Sequence, residues 1–156
     1  PNGPDVTFAT GDVNKDGEID VTDINLLSQA VRDGKTDAVY DINGDSDVSD
    51  SDRTAWVEEI QNTFFGDANL DGEFNSGDFV TVFAAGEYED EIVGNSTWGT
   101  GDWNGDGDFN SGDFVTAFGA AGYEKGPRPA PAVPEPSGML FTALGLLAIG
   151  LRNRTA

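Results

Sequence analysis

Four times along the chain, a polar run dominated by Asp, Asn and Gly hands over to a short stretch whose apolar residues recur at helical spacing. After "DVNKDGEIDVTD", which begins at Asp12, come Ile24, Leu27, Ala30 and Val31. After "DINGDSDVSDSD" from Asp41 come Ala55, Trp56 and Ile60. "DANLDGEFNSGD" from Asp67 is followed by Phe79, Val82 and Phe83, and "DWNGDGDFNSGD" from Asp102 by Phe114, Ala117 and Phe118. Steps of three and four put such residues on one side of a helix, so the pattern predicts four short helices, each led by a polar loop. The last two stretches contain Val, Thr and Phe, which lose side-chain freedom in a helix, so the prediction there leans on the repeat. No ten-residue amphipathic segment stands before any of the loops. The fold expected is small and mainly α, made of tandem loop–helix repeats in two pairs.

Turn-rich connectors separate the repeats: "RDGKTDAV", "NTFFG" and the longer "YEDEIVGNSTWGT". They divide the chain into an N-terminal linker or strand at 1–10, a first pair of repeats at 11–61 and a second pair at 62–124. Beyond Tyr123 the character changes to a Pro-rich linker at 125–137, expected to be extended and mobile, and then to an apolar segment at 138–156 that ends in "RNRTA". Its fourteen apolar or small residues, "GMLFTALGLLAIGL", would form a short helix of about 21 Å, less than the ~30 Å of a bilayer core. That length marks a marginal span or a processing signal. The start, "PNGPDVTFAT", has neither a basic nor an apolar leader region, so we read the chain as lacking a signal peptide and as a processed form or the C-terminal piece of a longer precursor.

Charge narrows the chemistry. With 29 acidic and 8 basic residues the formal net charge is −21, which disfavours nucleic acid and anionic membrane surfaces and favours cations as partners. The chain has no Cys and no His, which removes disulfides, thiolate metal sites, Cys nucleophiles and the commonest general base. What remains is hard-cation chemistry with oxygen ligands.

The repeated loops suit that chemistry. Ca²⁺ takes about six to eight oxygens, and a twelve-residue loop can supply them from positions 1, 3, 5, 7, 9 and 12, with Gly at 6 where the backbone needs positive φ. Loop one offers Asp12, Asn14, Asp16, the Glu18 carbonyl, Asp20 and Asp23, bending at Gly17. Loop two offers Asp41, Asn43, Asp45, the Asp47 carbonyl, Ser49 and Asp52, but Ser46 replaces the bend glycine, which makes this the expected weakest site. Loop three offers Asp67, Asn69, Asp71, the Glu73 carbonyl, Asn75 and Asp78, bending at Gly72; loop four offers Asp102, Asn104, Asp106, the Asp108 carbonyl, Asn110 and Asp113, bending at Gly107. Up to four Ca²⁺ ions are therefore expected as cofactors. Position 8 holds Ile19, Val48, Phe74 and Phe109, so a short strand contact is expected between Ile19 and Val48, and another between Phe74 and Phe109. Ions would offset carboxylates that otherwise repel, so folding is expected to depend on calcium.

Plainer readings stand beside these. An Asp/Asn/Gly-rich chain can be a solvated tail, although four copies in one frame argue against it. Paired carboxylates can hydrolyse glycosides, but here nearly every Asp is assigned to an ion, so no catalytic residue is expected. Phe79, Phe83, Phe114 and Phe118 are expected in the core rather than on an exposed binding stripe, whereas Trp98 and Trp103 are equally compatible with packing and with partner contact. "NST" at Asn95 fits a glycosylation sequon and is read as coincidence.

All four loops end in Asp, not the Glu of the general EF-hand pattern, and lack an entering helix. In these respects "GDVNKDGEIDVTDINLLSQAV" resembles dockerin repeats, EF-hand-like calcium-dependent modules that bind cohesin domains. Residues 11–61 carry the resemblance best. Residues 66–124 are similar to a variant found in large secreted proteins of planctomycete-type bacteria. The end of the chain resembles a second family: "VPEPS" at 133–137, an apolar run, then Arg152 and Arg154 look like a PEP-CTERM sorting signal, which is cut by an exosortase during export. Together the resemblances imply an extracellular or cell-surface, non-catalytic calcium-binding module for protein–protein attachment, with a cohesin-like partner. They imply no nucleic acid, and membrane contact only through the C-terminal segment before processing. Two alternatives stay open: a calcium-stabilised subunit that self-assembles into a homopolymeric fibril or matrix, and the C-terminal part of a larger secreted hydrolase.

Overall fold

Three of the four polar loops become helices at the point where the capping side chain takes over an orphan backbone donor. Asp20, Asn75 and Asn110 accept the N–H groups of Thr22, Gly77 and Gly112, each at 2.7 Å. Asp23, Asp78 and Asp113 reach back to the N–H groups of those same three capping residues at 2.8–2.9 Å. These reciprocal caps satisfy two of the four free N–H groups at each helix start. In the computed structural model, which describes residues 8–130, the helices are α1 (Val21–Arg32), α2 (Asp50–Ala55), α3 (Ser76–Ala85) and α4 (Ser111–Gly119). The chain of α2 continues through a wide π turn at Trp56–Ile60, and a 3₁₀ turn at Trp98–Thr100 leads into loop four. The protein is thus small and mainly helical, as the pattern predicts. Among the described residues the only extended pairings are isolated bridges, and no helix is long and apolar enough to cross a membrane.

The core runs through both halves. Ile24 and Leu27 of α1 and Trp56 and Val57 after α2 join Phe65, Ala68 and Trp98, which connect them to Phe74, Val82, Trp103, Phe109 and Ala117. Both Trp98 and Trp103 are fully buried, which decides between packing and partner contact in favour of packing. Trp56 and Trp98 also donate their indole N–H groups to the carbonyls of Gly11 and Asp67, at 2.9 and 2.7 Å.

Three expectations need correction. Phe83 and Phe118 are not core residues, being 50% and 48% exposed at the rim of an aromatic cluster that holds Phe79 and Phe114 more deeply. Second, Phe74 and Phe109 do not pair with each other. Phe74 bridges to Tyr123 and accepts the Glu124 N–H at 2.8 Å; Phe109 bridges to Tyr88 and accepts the Glu89 N–H at 2.9 Å. Each loop is thereby closed by the segment following the helix of the other repeat, and the two Phe rings share Trp103 as a neighbour, 5.8 Å from both. Ile19 and Val48 form no bridge either, and the Ile19 carbonyl accepts from Gln61 Nε2 at 2.8 Å. Third, the start of the Pro-rich stretch is tied down. Arg128 donates to the Thr63 carbonyl and to Glu58, both at 2.9 Å, and its guanidinium lies over the Phe64 ring. The motif at 133–137, the apolar segment at 138–156 and most of the N-terminal linker lie outside the described residues.

Candidate metal centre

The four loops share one internal hydrogen-bond scheme. At position 1, Asp12, Asp41, Asp67 and Asp102 accept the N–H of position 6, from Gly17, Ser46, Gly72 and Gly107, at 2.8–3.1 Å. At position 3, Asn14, Asn43, Asn69 and Asn104 accept the N–H of position 5 at 2.8–2.9 Å. At position 5, Asp16, Asp45, Asp71 and Asp106 accept the N–H of Glu18, Asp47, Glu73 and Asp108 at 2.8–3.0 Å. The final Asp crosses the loop: Asp23, Asp52, Asp78 and Asp113 accept the N–H of position 2 at 2.7–2.9 Å. All four of these Asp side chains are buried. In loop two the position-9 residue, Ser49, gives its N–H to Asp52 at 2.8 Å. Backbone N–H groups therefore hold the carboxylates and Asn oxygens of positions 1, 3, 5 and 12 around each loop.

The backbone turns where the sequence says it must. Position 6 has positive φ in every loop, 95° at Gly17, 93° at Gly72 and 96° at Gly107, and Ser46 is forced to 72°. Position 4 also lies in the left-handed region, which costs Lys15 and Leu70 strain that Gly44 and Gly105 avoid. Sequence reasoning missed the glycine just before loops one, three and four. A Cβ on Gly66 would lie 2.5 Å from the Phe74 ring, one on Gly101 2.5 Å from Phe109, and one on Gly11 2.8 Å from Ile60. The recurring "GD" was the available signal: the glycine lets the chain pass close under a packed side chain, Phe74, Phe109 or Ile60.

Burial sets the electrostatics of the second pair. It pushes the carboxyls of Asp67, Asp78 and Asp113 up from the ordinary value, and Asp102 up to about 6, against the opposing pull of the Gly105 N–H and the guanidiniums of Arg53 and Arg32. The exposed Asp45 goes the other way, lowered by the Asp47 N–H and by Asn43. Among the described residues no three acidic side chains are gathered into a ready-made metal cluster. Asn14, Asn43, Asn69 and Asn104 each donate their side-chain N–H to the position-5 carboxylate at 2.7–3.0 Å. The donors still fit a hard cation by type, being all oxygen. Among the described residues, moreover, no hydrogen bond reaches the carbonyls of Glu18, Asp47, Glu73 and Asp108, the four that position 7 would offer.

Residues 10–60 match the family model of the Dockerin type I domain. The match covers loops one and two with α1 and α2, the stretch that carries the sequence resemblance most fully. Comparison with curated proteins and with solved structures gave no significant match.

The dockerin-like stretch packs directly on the second pair of loops, through polar residues that the sequence pattern did not single out. Arg53, 3% exposed, donates to Ser28 Oγ at 3.0 Å and to the carbonyls of Trp103 at 2.8 Å and Asn104 at 2.6 Å. Arg32 donates to the Gly105 carbonyl at 2.7 Å and pairs with Asp102 at 3.4 Å. Asn25 accepts the Trp98 N–H at 2.9 Å. One side of α1 is thus covered by loop four and its 3₁₀ turn.

Proposed function

We propose that the chain is an extracellular, non-catalytic calcium-binding module that attaches one protein to another, with the dockerin-like stretch as its recognition unit and a cohesin-like domain as partner. The observation that carries this reading is the family match over residues 10–60, whose two loops share a frame that recurs twice more at Asp67 and Asp102. The ligands would be Asp12, Asn14, Asp16, Glu18, Asp20 and Asp23; Asp41, Asn43, Asp45, Asp47, Ser49 and Asp52; and the equivalent sets from Asp67 to Asp78 and Asp102 to Asp113, for up to four ions. Calcium, when bound, supplies the charge around which mutually repelling carboxylates can sit. The residues themselves do the shaping: the final Asp of each loop ties position 2 to the helix start, so ordering a loop also fixes the angle at which its helix leaves. Circular dichroism should show loss of helix on adding EDTA and recovery with excess calcium. An unchanged spectrum, or a cohesin-like complex that survives EDTA, overturns the proposal.

A second reading is favoured by one observation. Val80 and Val115, 72% and 76% exposed, flank the half-exposed Phe83 and Phe118 on α3 and α4, at positions separated by the repeat length. This uncharged face suits calcium-stabilised self-assembly at the cell surface. Electron microscopy of the purified chain with calcium distinguishes a discrete particle from a fibril.

A further inference from the structure

The third and fourth loops are almost the same in sequence, yet their surroundings differ in charge. Asp67, which opens loop three, meets a neutral partner, the Thr63 hydroxyl, together with the Gly72 N–H at 2.8 Å. Arg128, which passes near this loop through its backbone, points its guanidinium at Glu58. Asp102, which opens loop four, instead meets Arg32 at 3.4 Å, with Arg32 also on the Gly105 carbonyl at 2.7 Å. Arg53 is buried against the same loop on the carbonyls of Trp103 and Asn104. Two guanidiniums from the dockerin-like stretch therefore cover positions 1 to 4 of loop four. Local sequence agrees with this contact. Position 4 is Leu70 in loop three but Gly105 in loop four, where a Cβ would collide with the Arg53 guanidinium.

We infer that Arg32, backed by Arg53, is a built-in counter-charge for loop four, which makes its calcium binding weaker than that of loop three and ties its occupancy to the packing of the two halves. The inference rests on the calcium reading proposed above. A fixed positive charge beside the opening carboxylate does part of an arriving cation's electrostatic work and repels the cation as well, both of which lower affinity. Loop three has no such neighbour. A calcium concentration therefore exists at which loop three is filled and loop four is still held by arginine.

The backbone N–H groups of Gly72 and Gly107, each bonded to the opening Asp of its own loop, provide one reporter per site. Calcium titration of the full chain, followed at these two amides by NMR, should give a midpoint for Gly107 on the order of tenfold higher than for Gly72. Arg32→Gln should bring the Gly107 midpoint down towards that of Gly72 and leave Gly72 unchanged, while Arg32→Lys, which keeps the charge, should preserve the order. The inference is overturned if Gly107 saturates with or before Gly72 in the wild type, or if Arg32→Gln raises the Gly107 midpoint or moves both equally. If neither amide responds to millimolar calcium, the underlying calcium reading falls with it, an outcome distinct from a response with the wrong order.

Discussion

Ser46 sits at a backbone angle, φ 72°, that its three counterparts reach with glycine. Replacing it by Gly removes a left-handed strain worth about 1 kcal/mol, and Ser46→Gly should raise the chain's stability by that order in denaturant titration, with calcium binding at loop two tightened in parallel. The opposite behaviour is expected of Gly101, at φ 119° beneath the Phe109 ring. Gly101→Ala should destabilise by roughly 2 kcal/mol or more, since both the angle and the space are wrong for a methyl group. Gly119, at the end of α4 with open space around it, is the control: Gly119→Ala should be neutral or mildly stabilising in the same melt. Residue by residue, the bend positions were legible because a twelve-residue loop leaves few choices at each place. The strain at Lys15 and Leu70 was not legible, because nothing in those side chains signals a positive φ.

All four helices were readable from apolar spacing, whereas the capping role of Asp20, Asn75 and Asn110 at the starts of α1, α3 and α4 was not, because the loop pattern accounts for the same residues as ligands. Nor was the closure of the loops. The pattern at position 8 correctly marks residues that pack inside, since Phe74 and Phe109 are fully buried, but a pattern says nothing about which distant backbone segment lies alongside. Tyr88 and Tyr123 take that place, held by the main-chain N–H groups of the adjacent Glu89 and Glu124, a bond that almost any residue could make. The same limit applies to Arg53. It reads as an ordinary helix-surface charge, yet its guanidinium is buried against carbonyls of loop four. Arg53→Met keeps the length and removes the donors, leaving the carbonyls of Trp103 and Asn104 without partners, and should cost about 2–4 kcal/mol. Thermal melts should show the variant losing its single transition, with the two halves melting separately.

For the whole molecule, an acidic chain folded around its own carboxylates has an unusual response to pH. Asp102 titrates near 6 when folded, above the ordinary value of 3.8, so the folded state holds this proton more tightly than the unfolded one. Its contribution to stability is therefore complete at low pH and is lost as pH rises from about 4 through 6. Asp67, Asp78 and Asp113 shift in the same direction. In EDTA, the helical content that remains should fall on going from about pH 4.5 to 7; with saturating calcium the melting temperature should instead rise over that range, because protons then compete with the ion for the same oxygens. A metal-free helical content that rises over that range would contradict the burial of these groups. That the two halves share one core was beyond the sequence, since it depends on Trp98, which is remote in the chain from the loop-three carbonyl and from Asn25 on α1 to which it bonds.

Arg128 gives this assembly a mechanical bearing. Through its side chain on Glu58 and the Thr63 carbonyl, and through its own carbonyl accepting from Asn62 at 3.0 Å, the outgoing chain is fastened to the seam between the two halves. A pull on the chain beyond Ala130 therefore meets several bonds at once, at the connector that holds Glu58, Asn62 and Thr63 and, through the Arg128 N–H on the Gly72 carbonyl at 3.4 Å, at loop three. In the attachment role proposed above, such a load is shared between the two halves of the core, so neither half carries it alone.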